Sequence, residues 1–421
     1  MNEKLFDFIS ASPTAYQTVD TLRARLLAEG YEEISESQSD KFSSGGKCFT
    51  VRGGASLIAF RGRGNGFMIA AAHSDTPSLR VKESFTRAPY ALFDVEKYGG
   101  AILYSWLDRP LSLAGRAVIK TKEGVGVMSV DLRRPVALIP SLAIHYNREV
   151  NNGYKPSLNK DMLPLFGVDC KLSLGELVAE SLGVKKDEIL SHDLFLYNVE
   201  RGVTVGASGE LILAPRLDDL ECVFAATEAF LTAEESADSV SVLCVLDNEE
   251  VGSKTRRGAD STFLGDTLRK IAGCDSKYYQ MLENSFTVSA DNAHATHPGY
   301  PELADRTDSP VLGGGVVVKH NANQRYATDA VSDALIKRLA DMAGARLQKF
   351  SMRPDLPCGT TLGSIASSLV AVPTVDIGLA QLAMHSSTET AATSDLGEMI
   401  KLLRALYSST LEKRGESYAI K

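Results

Sequence analysis

The segment Ser239-Val-Ser-Val-Leu-Cys-Val-Leu246 is followed directly by Asp247-Asn-Glu-Glu-Val-Gly-Ser253. The first segment is apolar and rich in β-branched residues, which predicts a buried strand of a parallel sheet. The second puts three acidic side chains at the carboxyl end of that strand, where open α/β sheets bind their ligands. Adjacent glutamates are costly there unless a positive charge or a shared proton compensates them. A metal ion would compensate them, with one glutamate bound to it and its neighbour free to transfer protons. Taken alone, Asp-x-Glu-Glu is more often an acidic surface loop.

Other predicted elements also begin or end in residues that can bind a metal. The strand predicted over 66–72 is followed by His73-Ser-Asp75, and the strand over 286–290 is followed by Asp291. Asp218 precedes a helix-like run over 220–231, and His385 follows an apolar segment. The candidate ligands are therefore His73, Asp218, Glu249, Glu250, Asp291 and His385.

These candidates offer only nitrogen and oxygen donors, which favours zinc, cobalt or manganese over a thiolate structural site. One carboxylate bridging two cations, with a histidine and an acid on each, would make a two-metal hydrolytic centre. Asp75, two residues after His73, could orient that histidine. Each residue taken singly could be a cap, a turn or a buried histidine, but the collective pattern favours a metal site.

Composition limits the function classes. The chain has 421 residues, 44% hydrophobic and 23% charged, which is typical of a globular protein. A net charge of −8 argues against a nucleic-acid partner. No apolar run reaches the roughly 18 residues of a membrane span, and the first residues do not resemble a signal peptide. The six cysteines include no Cys-x-x-Cys pair, so we expect reduced thiols and a cytoplasmic protein.

The α/β pattern is interrupted in the middle of the chain. Residues 85–210 contain short β-like runs separated by Gly, Pro and charged turns, and the α/β pattern resumes near Ala214. This change predicts an inserted β-rich domain.

Seven ordered motifs resemble those of the aspartyl aminopeptidases, and the similarity extends from Ser10 to near the C-terminus. They are His73-Ser-Asp-Thr-Pro-Ser-Leu-Arg-Val-Lys82, Ala214-Pro-Arg-Leu-Asp-Asp219, Asp247-Asn-Glu-Glu-Val-Gly-Ser253, Ser289-Ala-Asp-Asn-Ala-His-Ala-Thr-His-Pro298, Gln324-Arg-Tyr-Ala-Thr328, Pro357-Cys-Gly-Thr-Thr361 and Ala383-Met-His-Ser386. Two positions depart from the family pattern: Asp219 stands where Asn is common, and His320 where an aliphatic residue is usual. Neither removes a presumed ligand.

The resemblance implies a mixed-sheet, zinc-exopeptidase-like α/β catalytic domain at 1–82 and 211–421, with a β-rich dimerisation domain inserted at 83–210. It further implies two zinc ions per subunit, with cobalt or manganese as possible substitutes. Asp218 would bridge them, Glu250 and His385 would bind one ion, and His73 and Asp291 the other.

The resemblance also implies roles around these ligands. Glu249 would be the general base, and Asp75 would orient His73. Lys319, with Tyr326 close by, would bind the acidic side chain of the substrate's first residue. His145 would reach the active site of a partner subunit and stabilise the developing oxyanion there.

The expected function is hydrolysis of the first peptide bond of peptides with a free N-terminal Asp or Glu. The expected assembly is a homodimer that builds a larger homo-oligomer such as a dodecamer. Two alternatives stay open from the sequence. One is a dimetal hydrolase of other aminoacyl or N-acyl amides, and the other is a non-enzymatic, peptidase-like scaffold.

Overall fold

The computed structural model describes residues 1–421. The helices are α1 (Asn2–Ala11), α2 (Ala15–Ala28), α3 (Ser39–Phe42), α4 (Leu174–Leu182), α5 (Leu217–Thr232), α6 (Phe263–Ala272), α7 (Asp275–Glu283), α8 (Ala330–Ala343), α9 (Leu362–Leu369) and α10 (Asp395–Ser408). The first ten strands are β1 (Glu32–Glu33), β2 (Cys48–Arg52), β3 (Ser56–Arg61), β4 (Phe67–His73), β5 (Ser78–Arg87), β6 (Tyr90–Tyr98), β7 (Leu111–Lys120), β8 (Val125–Asp131), β9 (Leu165–Val168) and β10 (Ile189–Asn198). The remaining strands are β11 (Val203–Val205), β12 (Leu211–Ala214), β13 (Val240–Leu246), β14 (Phe286–Ala290), β15 (Ala293–His294), β16 (Val316–His320), β17 (Leu347–Ser351), β18 (Thr374–Leu382), β19 (Glu389–Ala392), β20 (Leu411–Arg414) and β21 (Ser417–Ile420).

A 13-stranded mixed sheet forms the centre of the molecule. Its main order is β1-β2-β3-β13-β4-β14-β18-β19-β12-β11, with β15 and β16 against β18 and β17 on β16. The four central strands β13, β4, β14 and β18 are parallel neighbours. Their carboxyl ends therefore lie at one edge of the sheet. The predicted ligands come at or just after these strand ends in the sequence.

Helices cover both faces of this sheet because the central strands are apolar on both sides. In β4, Met68 and Ala70 belong to a core of 49 buried residues shared with α1, α2, α5, α8 and α10. Phe67 and Ile69 point the other way, into a core of 24 buried residues shared with α3, α6, α7 and α9. This alternation is the period of two that a strand imposes on its side chains.

A separate antiparallel sheet of six strands, in the order β8-β7-β10-β5-β6-β9, is built from residues between Ser78 and Asn198. It has its own core of 17 buried residues, to which α4 contributes Leu174, Leu177 and Val178. The chain returns to the large sheet at β11. A dimerisation role for the six-stranded sheet stays a prediction.

The mixed-sheet α/β class predicted from the sequence is confirmed. The strand predicted over 286–290 has the same bounds in the structure, and the helix predicted over 220–231 lies inside α5. None of the helices is long and apolar enough to cross a membrane.

Candidate metal centre

The candidate ligands are brought together by the ends of the central strands. His73 is the last residue of β4, and Glu249 and Glu250 lie in a short 3₁₀ turn that follows β13. Asp291 follows β14, and His385 follows β18. Asp218 lies at the start of α5, where its φ and ψ of −84° and 105° are not helical.

Three groups of donor atoms lie close enough to hold an ion, each with all its donors within 4.8 Å of one another. They are His73 with Asp218 and Asp219, His73 with Glu249 and Glu250, and Asp218 with Glu250 and His385. Asp218 lies between the two histidines, because its Oδ1 is 3.5 Å from His73 Nε2 and its Oδ2 is 3.3 Å from His385 Nε2. This is the position a bridging carboxylate requires.

The residues present fit zinc. Asp218 Oδ1 and Glu250 Oε1 are buried oxygens without a hydrogen-bond partner in the protein. An unpaired buried carboxylate oxygen is costly, so these atoms are suited to a cation. Imidazole and carboxylate donors are among the ligands that zinc takes in proteins. Two donor groups that share Asp218 match the arrangement of a two-metal site.

Asp75 links the end of β4 to the Glu249–Glu250 turn. Its backbone carbonyl accepts a hydrogen bond from His73 Nδ1 at 2.9 Å, which leaves Nε2 free to face Asp218. Its carboxylate accepts the backbone N–H groups of Glu249 at 3.1 Å and Glu250 at 3.2 Å. The hydroxyl of Tyr98 donates to the same carboxylate at 2.6 Å. One buried residue therefore fixes both sites: its backbone carbonyl sets the tautomer of His73, and its carboxylate holds the acidic turn.

The electrostatics of the two neighbouring acids differ. Burial raises the pKa of Glu249 to about 8; the nearby His73 opposes this rise, and the carboxylates of Asp291 and Asp75 add to it. For Asp218, burial also acts to raise the pKa, but the His385 and His73 rings outweigh it and the pKa is lowered. Asp218 is thus held as a carboxylate, whereas burial among other acids favours the protonated form of Glu249.

Asp291 and Lys319 form a buried pair at the rim of the cluster. Asp291 is in none of the three donor groups, and its Oδ1 lies 3.3 Å from Lys319 Nζ. Lys319 is 2% exposed and its Nζ lies 5.4 Å from the centre of the Tyr326 ring. Burial acts to lower the pKa of Lys319, but Asp291 and other nearby acids outweigh it, so the pKa is raised. Lys319 is therefore charged.

His145 belongs to none of the three donor groups. It is an exposed residue in the loop between β8 and β9, and it makes no hydrogen bond or ion pair within the chain. The nearby apolar side chains of Leu142, Ile144 and Tyr146 are also exposed, at 56%, 46% and 82%.

The two positions that depart from the family pattern have different surroundings. Asp219 is fully buried, and its Oδ2 accepts the backbone N–H of His73 at 3.1 Å. His320 follows Lys319 in β16, so the two side chains point to opposite faces of the sheet. The Nε2 atom of His320 lies 3.5 Å from Oδ1 of Asp333, on α8.

Sequence reasoning missed Glu389 on β19. This residue is 1% exposed, and its two carboxylate oxygens accept the backbone N–H groups of Asp218 at 3.0 Å and His385 at 2.7 Å. It holds together two of the segments that carry candidate ligands. The only signal in the sequence is an acidic residue just after the His385 motif, which is too weak without the tertiary contacts.

Comparison with known proteins identifies the family. Residues 8–407 match the family described as aminopeptidase I zinc metalloprotease (M18). The chain belongs to the M18 family of zinc aminopeptidases. The aspartyl aminopeptidases are M18 proteins, so the family predicted from the motifs is confirmed. The protein is a metallo-aminopeptidase, and its metal is zinc.

Individual M18 relatives cover almost the whole chain. A probable M18 family aminopeptidase 2 from Pseudomonas aeruginosa is 38% identical over 424 residues, covering 97% of this chain and 98% of that protein. The structure of the Ape4 and Nbr1 complex contains a chain that is 33% identical, with a TM-score of 0.92. The match covers 96% of this chain and 84% of that chain. The S. cerevisiae mApe1 dodecamer contains a chain that is 30% identical, with a TM-score of 0.84. The match covers 96% of this chain and 95% of that chain.

Proposed function

We propose that this M18 enzyme removes aspartate and glutamate from the free N-termini of peptides. The observation that carries the proposal is the buried, charged Lys319 beside the metal cluster. A buried ammonium requires a negative partner. If Asp291 is a zinc ligand, its charge is shared with the metal, and a substrate carboxylate would satisfy Lys319. A neutral first side chain would leave it unsatisfied.

The ligand set that we propose follows the donor groups and the family resemblance. Asp218 would be shared by the two zinc ions, Glu250 and His385 would hold one ion, and His73 and Asp291 would hold the other. Asp291 joins the set because it follows a central strand at the same sheet edge, although its nearest charged partner is Lys319. Bound zinc would act as a Lewis acid and lower the pKa of the attacking water.

Glu249 is the proposed general base. Its carboxylate accepts a proton from the attacking water and delivers it to the nitrogen of the leaving amine. Asp75 supports this role because its carboxylate holds the backbone of the turn that carries Glu249. The free α-amino group of the substrate would be anchored near the metals, which restricts cleavage to the first peptide bond.

The proposed assembly is a homodimer formed through the six-stranded sheet, with the dimers building a dodecamer. The mApe1 relative is described as a dodecamer. The exposed apolar side chains beside His145 support an interface there, because a second copy would cover them. In this arrangement His145 would enter the partner's active site and donate to the developing oxyanion. The cytoplasmic location stays a prediction.

Lys319→Ala tests the proposed specificity. Kinetics on aminoacyl substrates with Asp, Glu, Asn, Ala or Leu as first residue give kcat/KM for each. A charge-assisted contact contributes about 1.5–3 kcal/mol, so we expect kcat/KM for Asp and Glu to fall about tenfold to a hundredfold. The kcat/KM values for neutral substrates should stay unchanged. Lys349→Ala, which removes an exposed lysine from the neighbouring β17, is the control. Equal losses on all substrates would mean that Lys319 has only a structural role.

A further inference from the structure

Two loops that carry family motifs meet at Tyr326, next to Lys319. The 324–328 loop (Gln324–Thr328) contains Tyr326, whose ring is next to the Lys319 ammonium. The 357–361 loop (Pro357–Thr361) contains Cys358, which packs against the small cluster of Tyr326 and Phe350. Neither motif has an assigned role in the ligand set.

Asp376 on β18 contacts both loops. Its side chain is fully buried. Its Oδ2 accepts the backbone N–H of Ala327 at 2.6 Å, and its Oδ1 accepts the hydroxyl of Thr361 at 2.7 Å. Its own backbone N–H donates to the Thr328 hydroxyl at 3.0 Å. One residue of the central sheet is therefore hydrogen-bonded to the 324–328 loop twice and to the 357–361 loop once.

The start of α9 is adapted to this contact. Thr361 is the N-cap residue of α9, yet its side chain makes no capping hydrogen bond. Threonine at such a position ordinarily stabilises the helix by capping it. Here the hydroxyl donates to Asp376 instead. A Cβ atom on Gly363 would lie 2.4 Å from Asp376 Oδ1, so only glycine allows the helix to approach this closely.

We propose that Asp376 is a positioning residue for acidic specificity, holding the 324–328 and 357–361 loops so that Tyr326 and Lys319 present a closed site to a carboxylate. This inference rests on the proposed function, since it concerns the preference for Asp and Glu. Asp376 acts without touching the substrate. It holds Ala327 and Thr361, and so positions the neighbouring Tyr326.

The test compares the specificity ratio, which is kcat/KM for an Asp substrate divided by kcat/KM for a Leu substrate. Asp376→Ala removes the side-chain hydrogen bonds to both loops and keeps only the backbone bond to Thr328. Thr361→Ala removes the bond to the 357–361 loop alone. We expect the ratio to fall about tenfold in Asp376→Ala and severalfold in Thr361→Ala. Thr361→Ser keeps the hydroxyl, so its specificity ratio should equal that of the wild type. Asp376→Asn keeps an acceptor for the Ala327 N–H, so its ratio should lie between those of the wild type and Asp376→Ala.

Asp395→Ala is the matched control. Asp395 is also a buried carboxylate, 1% exposed, and it accepts two backbone N–H groups, those of Gly313 at 2.8 Å and Gly315 at 3.1 Å. These contacts support the other end of β16, away from the Lys319 ammonium. This variant should lower the melting temperature and leave the specificity ratio unchanged.

The outcomes separate this inference from the proposed function. A wild-type enzyme without acidic preference would overturn the proposed function itself. If the wild type prefers Asp but Asp376→Ala and Thr361→Ala keep the wild-type ratio, the inference about Asp376 is wrong. A uniform loss on both substrates, matching the control, would also overturn it. Should Asp376→Ala fail to fold, the comparison of Thr361→Ala with Thr361→Ser decides the question alone.

Discussion

Glu249 and Glu250 are neighbours in one turn, but their side chains have different surroundings. Glu250 Oε1 is 3.5 Å from His385 Nε2, and it shares a donor group with Asp218 and His385. Glu249 is grouped only with His73 and Glu250. The backbone of both residues is held by Asp75, so a change in either side chain leaves the turn supported. The two residues can therefore be tested separately.

We expect Glu249→Gln to keep its zinc and to lose the proton transfer, so that kcat falls by about 10²-fold or more. Glu250→Gln should instead bind zinc more weakly, because a ligand is lost. Metal content after gel filtration, measured beside kcat, distinguishes the two. The assignment of Glu249 as general base and Glu250 as zinc ligand is wrong if Glu249→Gln loses zinc as severely as Glu250→Gln.

At the scale of elements, a polar network joins α2 to the six-stranded sheet. The Tyr16 hydroxyl, on α2, donates to Asp193 on β10 at 3.1 Å, and Arg116 on β7 pairs with the same carboxylate at 2.9 Å. Arg257, which pairs with Asp247 at 2.9 Å, also contacts the Tyr16 hydroxyl. The network therefore connects the six-stranded sheet to the segment that leads into the acidic turn.

This network predicts an acid-sensitive contribution to stability. Burial acts to raise the pKa of Asp193, but Arg116 and Tyr16 outweigh it and the pKa is lowered. A carboxyl with a lowered folded-state pKa stabilises the protein above its unfolded pKa of about 3.9, and this stabilisation is lost as the pH falls through the folded value. We expect Asp193→Asn to lower the melting temperature by about 1–2 °C at pH 7.

The difference between the wild type and Asp193→Asn should shrink as the pH is lowered below about 4. Thermal melts across pH 3–7 measure it. Asp94→Asn, which breaks the exposed Lys82–Asp94 pair of the same sheet, is the control and should have little effect at any pH. A constant difference between wild type and Asp193→Asn over the whole range would exclude a role for the Asp193 charge.

The central elements could be predicted because their sequences are apolar on both faces. β13 and β14 are short runs of buried residues bounded by polar ones, so their place in a covered parallel sheet follows from the pattern alone. The candidate ligands could be chosen for the same reason, since each lies next to the end of such a run or the start of a helix.

The remaining features depend on contacts between distant segments. Glu389 and Asp376 lie on strands of the sheet, where an acid would ordinarily predict an exposed position. Their burial is compensated by backbone N–H groups from segments up to about 170 residues away, as in the bond from Asp218 to Glu389. The pairing of Asp291 with Lys319 is likewise set by the neighbouring positions of β14, β18 and β16. Spacing along the chain contains none of this information.

At the scale of the whole molecule, the proposed trans contribution of His145 makes activity depend on dimerisation. His145 is exposed and belongs to none of the donor groups of its own chain, so the proposed role is tested by combining two subunits. His145→Ala and Glu249→Gln should each be nearly inactive alone. In a mixed dimer one site would combine an intact Glu249 with an intact His145, and the other site would lack both.

Co-expression of the two variants should therefore restore activity well above that of either parent. Differently tagged chains, purified through both tags, show that mixed dimers have formed. Activity that stays at the parental level in such dimers would rule out donation across the interface.

We propose above that this zinc aminopeptidase is selective for acidic N-termini. The most direct test is kcat/KM of the wild-type enzyme on peptides that differ only in their first residue, before chelation, after chelation, and after zinc is returned. We expect Asp and Glu peptides to be cleaved at least about tenfold better than Asn, Ala or Leu peptides, on the scale of one charge-assisted contact. We also expect chelation to abolish activity and zinc to restore it. Equal rates on neutral and acidic peptides, or full activity in the chelated protein, would contradict the claim.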